Sequence, residues 1–192
     1  NETAPNMGED FQGLNTENFE EKLTRKVDYD GEDWFLKSGS PDSNRAVFET
    51  LLCMGHITRR FDESLLRFLT AKGFIPRGKS KVTDKQILEN LEKYFFVKTR
   101  EGDKSGRVFQ LHDEMARLVR EYLWRGSDLV EEKKNSLLTA VIKFYDQLIS
   151  IAQKDKTLQK TLQIEQLFYT LQRGVEEGKR LWLDLADLDD PY

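Results

Sequence analysis

The chain has 192 residues, of which 38% are hydrophobic and 33% charged, and its net charge is −4. That length accommodates one domain or two small ones, and the composition is typical of a globular protein. The sequence argues against a membrane protein, because no apolar run approaches the roughly 18 residues of a spanning helix and no signal-peptide pattern opens it, so we expect a cytoplasmic protein.

An acidic leader opens the chain, with ten acids against three bases over residues 1–36. Its polar first dozen residues and the start at Asn1 are typical of a piece of a larger protein. We predict a helix over 16–26, followed by an aromatic stretch over 28–39. Residues 37–128 hold eighteen bases against thirteen acids, which indicates either contact with the leader or attraction to an anionic partner.

Three helices are predicted after the leader from their apolar periodicity and start signals. The first contains the single cysteine, Cys53, which has no disulfide partner in the chain and should pack as a small hydrophobe. A connector over 55–61 leads to Asp62, the expected N-cap of the second helix. Thr83 and Gln86 have capping-box spacing at the start of the third. The predicted helices span 42–54, 63–72 and 84–93.

A β-hairpin and a further helix are predicted next. The aromatic and β-branched residues 94–99 and 108–111 favour two strands, and residues 101–106 have turn composition. Residues 113–124 then form a helix. Three helices followed by a two-stranded wing are the elements of a winged helix.

The remaining chain is predicted to form an α-helical hairpin array, with helices over 129–153, 158–172 and 179–188. Gly174 and Gly178 should set off a short separate segment between the last two helices. Trp182 and its neighbours need cover, either in a dimer or by folding back, and folding back is the expected arrangement.

The predicted fold is therefore mainly α: a winged helix (three helices plus β-hairpin wing) followed by an α-helical hairpin array. The predicted divisions are a partly helical acidic leader at 1–40, a winged-helix domain at 41–126 and a helical repeat-like domain at 127–192.

Catalytic chemistry finds little support in the residues. His56 and His112 are the only histidines, and neither zinc-ligand spacing nor a Cys–His pair occurs. Gly78-Lys79-Ser80 is the nearest fragment to a P-loop, but it lacks the preceding strand and glycine. We expect no catalytic residue, no metal site and no cofactor bound by this chain alone.

His112 and Asp113 stand at a predicted helix start, immediately after a predicted strand. The stretch Gln110-Leu111-His112-Asp113-Glu114-Met115 resembles the Met-His-Asp motif of STAND-type signalling NTPases, with Leu111 where the family has Met. Residues 51–69 are also similar to the first two winged-helix helices of bacterial members. The resemblance covers roughly residues 43–125.

The resemblance implies a regulatory fragment of a nucleotide-switched ATPase. In that family the motif histidine contacts the nucleotide's β-phosphate, so His112, with Asp113 beside it, would be the nucleotide sensor. ADP or ATP with magnesium would be bound by a P-loop domain missing here but present in the parent chain. The C-terminal helices would bind a protein partner.

DNA binding is the alternative, as a winged-helix transcriptional regulator with a helical dimerisation or effector domain. The third predicted helix argues against it, because Asp84, Glu89 and Glu92 outnumber Lys85 and Lys93 on the segment that would enter the major groove. A basic edge in the loop before this helix and in the wing favours it. The candidate phosphate contacts are Arg77, Lys79, Lys81, Lys98, Arg100, Lys104 and Arg107.

Overall fold

The computed structural model describes residues 41–79, 81–102, 106–124 and 128–187, and these are mainly α-helical with a small three-stranded sheet. The leader helix predicted over 16–26 and the stretch over 28–39 lie outside the described residues. The elements are α1 (Pro41–His56), β1 (Phe61–Asp62), α2 (Glu63–Ala71), α3 (Asp84–Leu91), β2 (Val97–Gly102), β3 (Gly106–Leu111), α4 (Asp113–Leu118), α5 (Asp128–Ile151), α6 (Lys156–Arg173) and α7 (Val175–Asp187).

The first two helices are confirmed, with α1 two residues longer at its end than predicted. Asp62 caps α2 as expected: its carboxylate accepts a hydrogen bond from the backbone N–H of Leu65 at 3.0 Å. After α2 the chain reverses at Gly73, whose φ of +82° lies in the region that favours glycine. Cys53 is buried in the core, as predicted.

The capping box of α3 is also confirmed, with Thr83 and Gln86 each bonding the other's backbone N–H. The first wing strand was predicted to begin at Tyr94, which is wrong. Residues 92–96 form consecutive turns in which the N–H of Tyr94 donates to Leu91 O at 3.1 Å and that of Val97 to Tyr94 O at 2.9 Å. Their aromatic content reflects packing rather than strand pairing.

The sheet is antiparallel, in the order β1-β3-β2. Phe109 of β3 pairs with Thr99 on one side and with Phe61 of β1 on the other. The sequence prediction had Phe61 in a connector, because a two-residue strand is too short to give an alternating pattern. The first wing strand is shifted by three residues from the prediction and the second begins two residues earlier, at Gly106. Residues 103–105 between them lie outside the described part.

The helix predicted over 113–124 is α-helical only as far as Leu118, and residues Val119–Leu123 form a π-helical turn. Val119 packs against Gly55 so closely that a Cβ atom on Gly55 would lie 2.5 Å from the valine Cγ1. Beyond the turn, the indole N–H of Trp124 donates to Leu52 O at 3.0 Å. The wider turn therefore accompanies close packing of this segment on α1.

Two corrections concern the last helix. α7 begins at Val175 rather than 179, so the predicted separate segment at Val175–Glu177 is its first turn. Gly178 lies buried within the helix and faces Leu171 of α6, so it allows close packing there instead of breaking the helix. α7 packs on α6, but this covers Trp182 only in part, because 56% of its surface remains exposed.

One buried core joins the C-terminal helices to the sheet-containing unit. Leu137, Val141 and Tyr145 of α5 belong to the same cluster of buried side chains as residues of α1 and α2. The rings of Phe68 and Phe144 lie 5.3 Å apart across this contact. Within the described segments, none of the helices has both the length and the apolar character that crossing a membrane requires.

Candidate functional site

The backbone of His112 is fixed from both sides at the junction of β3 and α4. Its N–H donates to Phe96 O at 2.8 Å, and its carbonyl accepts from the N–H of Ala116 at 2.9 Å. The imidazole is half-buried and makes no hydrogen bond, ion pair or ring contact with described residues. The structure thus holds the residue in place while leaving its ring nitrogens available.

Asp113 is exposed in the first turn of α4 and also lacks a hydrogen bond or ion pair with described residues. Its neighbour Glu114 is paired with Arg117, with 2.6 Å between Oε1 and Nη2, and this hydrogen bond lowers the pKa of the Glu114 carboxyl group. Arg117 also pairs with Glu121. At the start of α4, His112 therefore offers a ring N–H and Asp113 a carboxylate that no described residue pairs with.

The seven basic residues of the predicted edge do not form one free surface. Arg77 pairs with Asp84 and donates to Val82 O, so its guanidinium ties the preceding loop to α3. Arg107 of β3 pairs with Glu92, the residue that follows α3. Arg100 donates to the carbonyl of Arg59 at 3.4 Å.

Unlike Arg77 and Arg107, the three described lysines of the edge are free of ion pairs with described residues. Lys79, Lys81 and Lys98 are exposed and have no ion pair within the described segments. Lys104 lies outside the described residues. The part of the edge available to a phosphate backbone is therefore smaller than the sequence suggests.

The structure shows that the other histidine, His56, is buried, which the sequence analysis did not predict. His56, at the end of α1, is only 5% exposed, and its Nε2 has no hydrogen-bond partner in the described part. Burial, followed by the charges of Lys134 and Arg120, lowers its pKa to about 4. The imidazole is therefore neutral at pH 7. The sequence prediction had His56 in the connector over 55–61, and a connector residue gives no periodic signal of burial.

A polar seam joins α6 to the chain between α1 and β1. The guanidinium of Arg59 lies 3.2 Å from the Glu165 carboxylate and 5.2 Å from the centre of the Phe168 ring. Gln172 donates to the carbonyl of His56 at 3.4 Å. The seam was not predicted, because sequence periodicity does not specify which residues of distant helices meet.

Two buried groups nearby have no reactive character. Burial, with a smaller contribution from Glu49, raises the pKa of the Cys53 thiol to about 12, so it stays protonated and inert. Burial also raises the pKa of the Tyr169 hydroxyl, whose ring stacks on Tyr145 at 5.6 Å. Both serve as packing groups.

Among the described residues, no three His, Cys, Asp or Glu side chains group closely enough to hold a metal ion. Comparison of the chain with protein-family models, with curated proteins and with solved structures finds no match. The functional conclusion therefore depends on the residues themselves.

Proposed function

We propose that this chain is a non-catalytic regulatory and interaction module whose winged-helix unit senses nucleotide bound to a P-loop domain of the same parent protein. The observation that carries the proposal is the state of His112, whose backbone is fixed and whose half-buried imidazole has no partner in the described part. Such an imidazole can donate a hydrogen bond to a phosphate oxygen of a neighbouring domain.

The element order supports the winged-helix interpretation. Three helices and three strands follow one another in the order α1-β1-α2-α3-β2-β3, and the β2–β3 hairpin corresponds to the wing. His112 follows the last strand directly, as the motif histidine does in the resembling STAND proteins. The order also agrees with the proposed winged-helix domain at 41–126.

The switch requires two states that differ in their contacts. When the phosphate is in place, a hydrogen bond from His112 to this charged group would stabilise the closed state by about 1.5–3 kcal/mol, a population bias of roughly ten- to hundredfold. The nucleotide and its magnesium would be held by the parent's P-loop domain. The exposed carboxylate of Asp113 would repel phosphate and suits a basic side chain of that domain instead.

The C-terminal helices provide the proposed protein-binding surface. Three large apolar side chains of these helices are exposed, namely Trp182, Leu183 and Ile164. Exposed apolar surface of this kind is typical of a protein-binding site. We place the parent protein in the cytoplasm, in keeping with the composition of the chain.

The test is the resting activity of the parent protein. His112→Ala should raise signalling in the absence of the stimulus, because the closed state loses its phosphate contact. Thr99→Ala, an exposed wing substitution, is the matched control and should leave resting activity unchanged. Unaltered basal signalling in the His112 variant would contradict the proposal.

DNA binding is a second candidate, favoured by Lys79, Lys81 and Lys98, which are exposed and have no ion pair with described residues. If all three contact phosphates, log K for duplex DNA should fall with log salt with a slope of about −0.9 for each contact. Changing the three lysines to alanine should then remove about 2.7 from that slope. The regulatory proposal instead expects no salt-dependent duplex binding that these lysines control.

A further inference from the structure

Phe95, between α3 and β2, is the only large hydrophobic side chain that remains exposed among the described side chains before α5. Its ring is 66% exposed and lies edge-on to Phe96, with 5.3 Å between the ring centres. Phe96 is buried and lies 5.2 Å from the Tyr94 ring. The three aromatic residues form a step, which we call the Phe95 step, with its outer ring uncovered by described residues.

The leader joins the described chain beside this step. The side-chain amide of Asn90, near the end of α3, donates to the hydroxyl of Ser43 in the first turn of α1 at 3.1 Å. The ammonium of Lys93 donates to the same Asn90 side chain at 2.8 Å. The start of α1 and the last turn of α3 are therefore in contact, and Phe95 follows two residues after Lys93.

The leader contains a segment of matching chemistry. Residues 28–36 read Asp-Tyr-Asp-Gly-Glu-Asp-Trp-Phe-Leu, with four acids, no base and a large apolar end. At about 3.3–3.6 Å per residue, the chain allows Trp34 to reach up to roughly 25 Å from Pro41. Phe95 lies five residues beyond Asn90, whose side chain contacts Ser43 in the first turn of α1, so the step is on the part of the fold where the leader joins.

The charges around the step favour an acidic occupant. Lys93 and Lys98 are exposed on either side of the aromatic residues in the chain. The nearby acids of α3 are occupied, since Glu89 pairs with Lys85 and Glu92 with Arg107. Among the described residues, Lys93 and Lys98 therefore have no acidic partner beside the exposed aromatic ring.

We propose that residues 28–36 of the leader dock on the Phe95 step, with the apolar residues 34–36 covering the Phe95 ring and the acids facing Lys93 and Lys98. The leader is then an intramolecular cover, and its displacement would expose an aromatic and basic surface. The inference does not rest on nucleotide sensing by His112, although the carbonyl of Phe96 in the step accepts a hydrogen bond from the backbone N–H of His112 at 2.8 Å.

Photo-cross-linking of the full chain tests the proposal. With benzoylphenylalanine in place of Phe95, irradiation should give a monomeric product whose cross-link maps to residues 28–36. The control places the same group at Val175, which is 57% exposed on α7 and should give no cross-link to that segment. Cross-links joining two chains, cross-links elsewhere, or equal products from both positions would overturn the proposal.

A charge variant tests the acidic part of the inference. Replacing Asp28, Asp30, Glu32 and Asp33 together by their amides should lower the cross-link yield from position 95 several-fold at low salt, because the attraction to the two lysines is lost. The amide variant keeps the aromatic residues and the chain length. A yield equal to that of the unaltered leader would overturn the proposed pairing.

Discussion

The indole of Trp124 lies edge-on against the imidazole of His56, with the ring centres 4.8 Å apart and the planes at 84°. Trp124 follows the π-helical turn that continues α4, and His56 ends α1. Arg120, in the same turn, donates to the carbonyl of Gly55 at 2.8 Å. The segment that begins at His112 is thus tied to the end of α1, where Gln172 of α6 also binds. The His112–Trp124 segment and α6 therefore both contact the end of α1.

The buried His56 should make the protein sensitive to mild acid. Its pKa is about 4 when folded and about 6.5 in an unfolded chain, so between these values the unfolded state binds more protons. The contribution is therefore fully present above pH 6.5 and is lost as the pH falls towards 4. The loss should amount to about 3 kcal/mol of unfolding free energy, measured by urea denaturation across that range.

His56→Gln isolates this effect from the titration of the carboxyl groups. Its unfolding free energy should fall less steeply between pH 6.5 and 4 than that of the wild type. Thr99→Ala, which changes an exposed side chain that does not titrate, is the control and should keep the wild-type slope. Parallel curves for the wild type and the His56 variant would show that His56 does not carry the acid sensitivity.

Gly55 should tolerate no side chain, because a Cβ atom there meets Val119 at 2.5 Å. We expect Gly55→Ala to lower the unfolding free energy by about 1–3 kcal/mol through overpacking. At Gly174 an added Cβ meets nothing within 4 Å, so Gly174→Ala should change stability by less than about 0.5 kcal/mol. Equal effects in thermal or urea unfolding would argue against tight packing at the π-helical turn.

A buried helix cap should contribute more to the unfolding free energy than an exposed one. Asp62 and Asp155 each accept the N–H three residues ahead at 3.0 Å, but Asp62 is buried and also binds Arg60 and Ser64, whereas Asp155 is exposed. Asp62→Ala should cost about 2 kcal/mol and Asp155→Ala about 0.5–1 kcal/mol in urea denaturation. A larger loss at Asp155 would reverse this order.

The helices were predictable because their signals are local. Apolar spacing and the caps at Asp62 and Thr83 lie within a few residues of the elements they start. The two-residue strand β1 was missed because pairing of Phe61 with Phe109 depends on residues far apart in the chain. Gly178 was misjudged because its function depends on Leu171 in another helix, which sequence periodicity does not reveal.

The candidate site likewise has features that the sequence predicts and features that it does not. His112 was found from a local pattern, a strand followed by a helix start, and the structure describes it at that junction. The partners of Arg77 and Arg107 could not be predicted, because a charge pattern shows which side chains are cationic but not which acids lie beside them in the fold. The burial of His56 was also missed, because it depends on which residues pack beside it in the fold.

The most direct measurement is the rate of ADP release from the parent protein with and without His112. If the imidazole contacts the phosphate, His112→Ala should release ADP roughly ten- to hundredfold faster, corresponding to the loss of about 1.5–3 kcal/mol. Thr99→Ala, an exposed wing substitution, should leave the rate unchanged. An equal release rate in the wild type and the His112 variant would contradict nucleotide sensing by this chain.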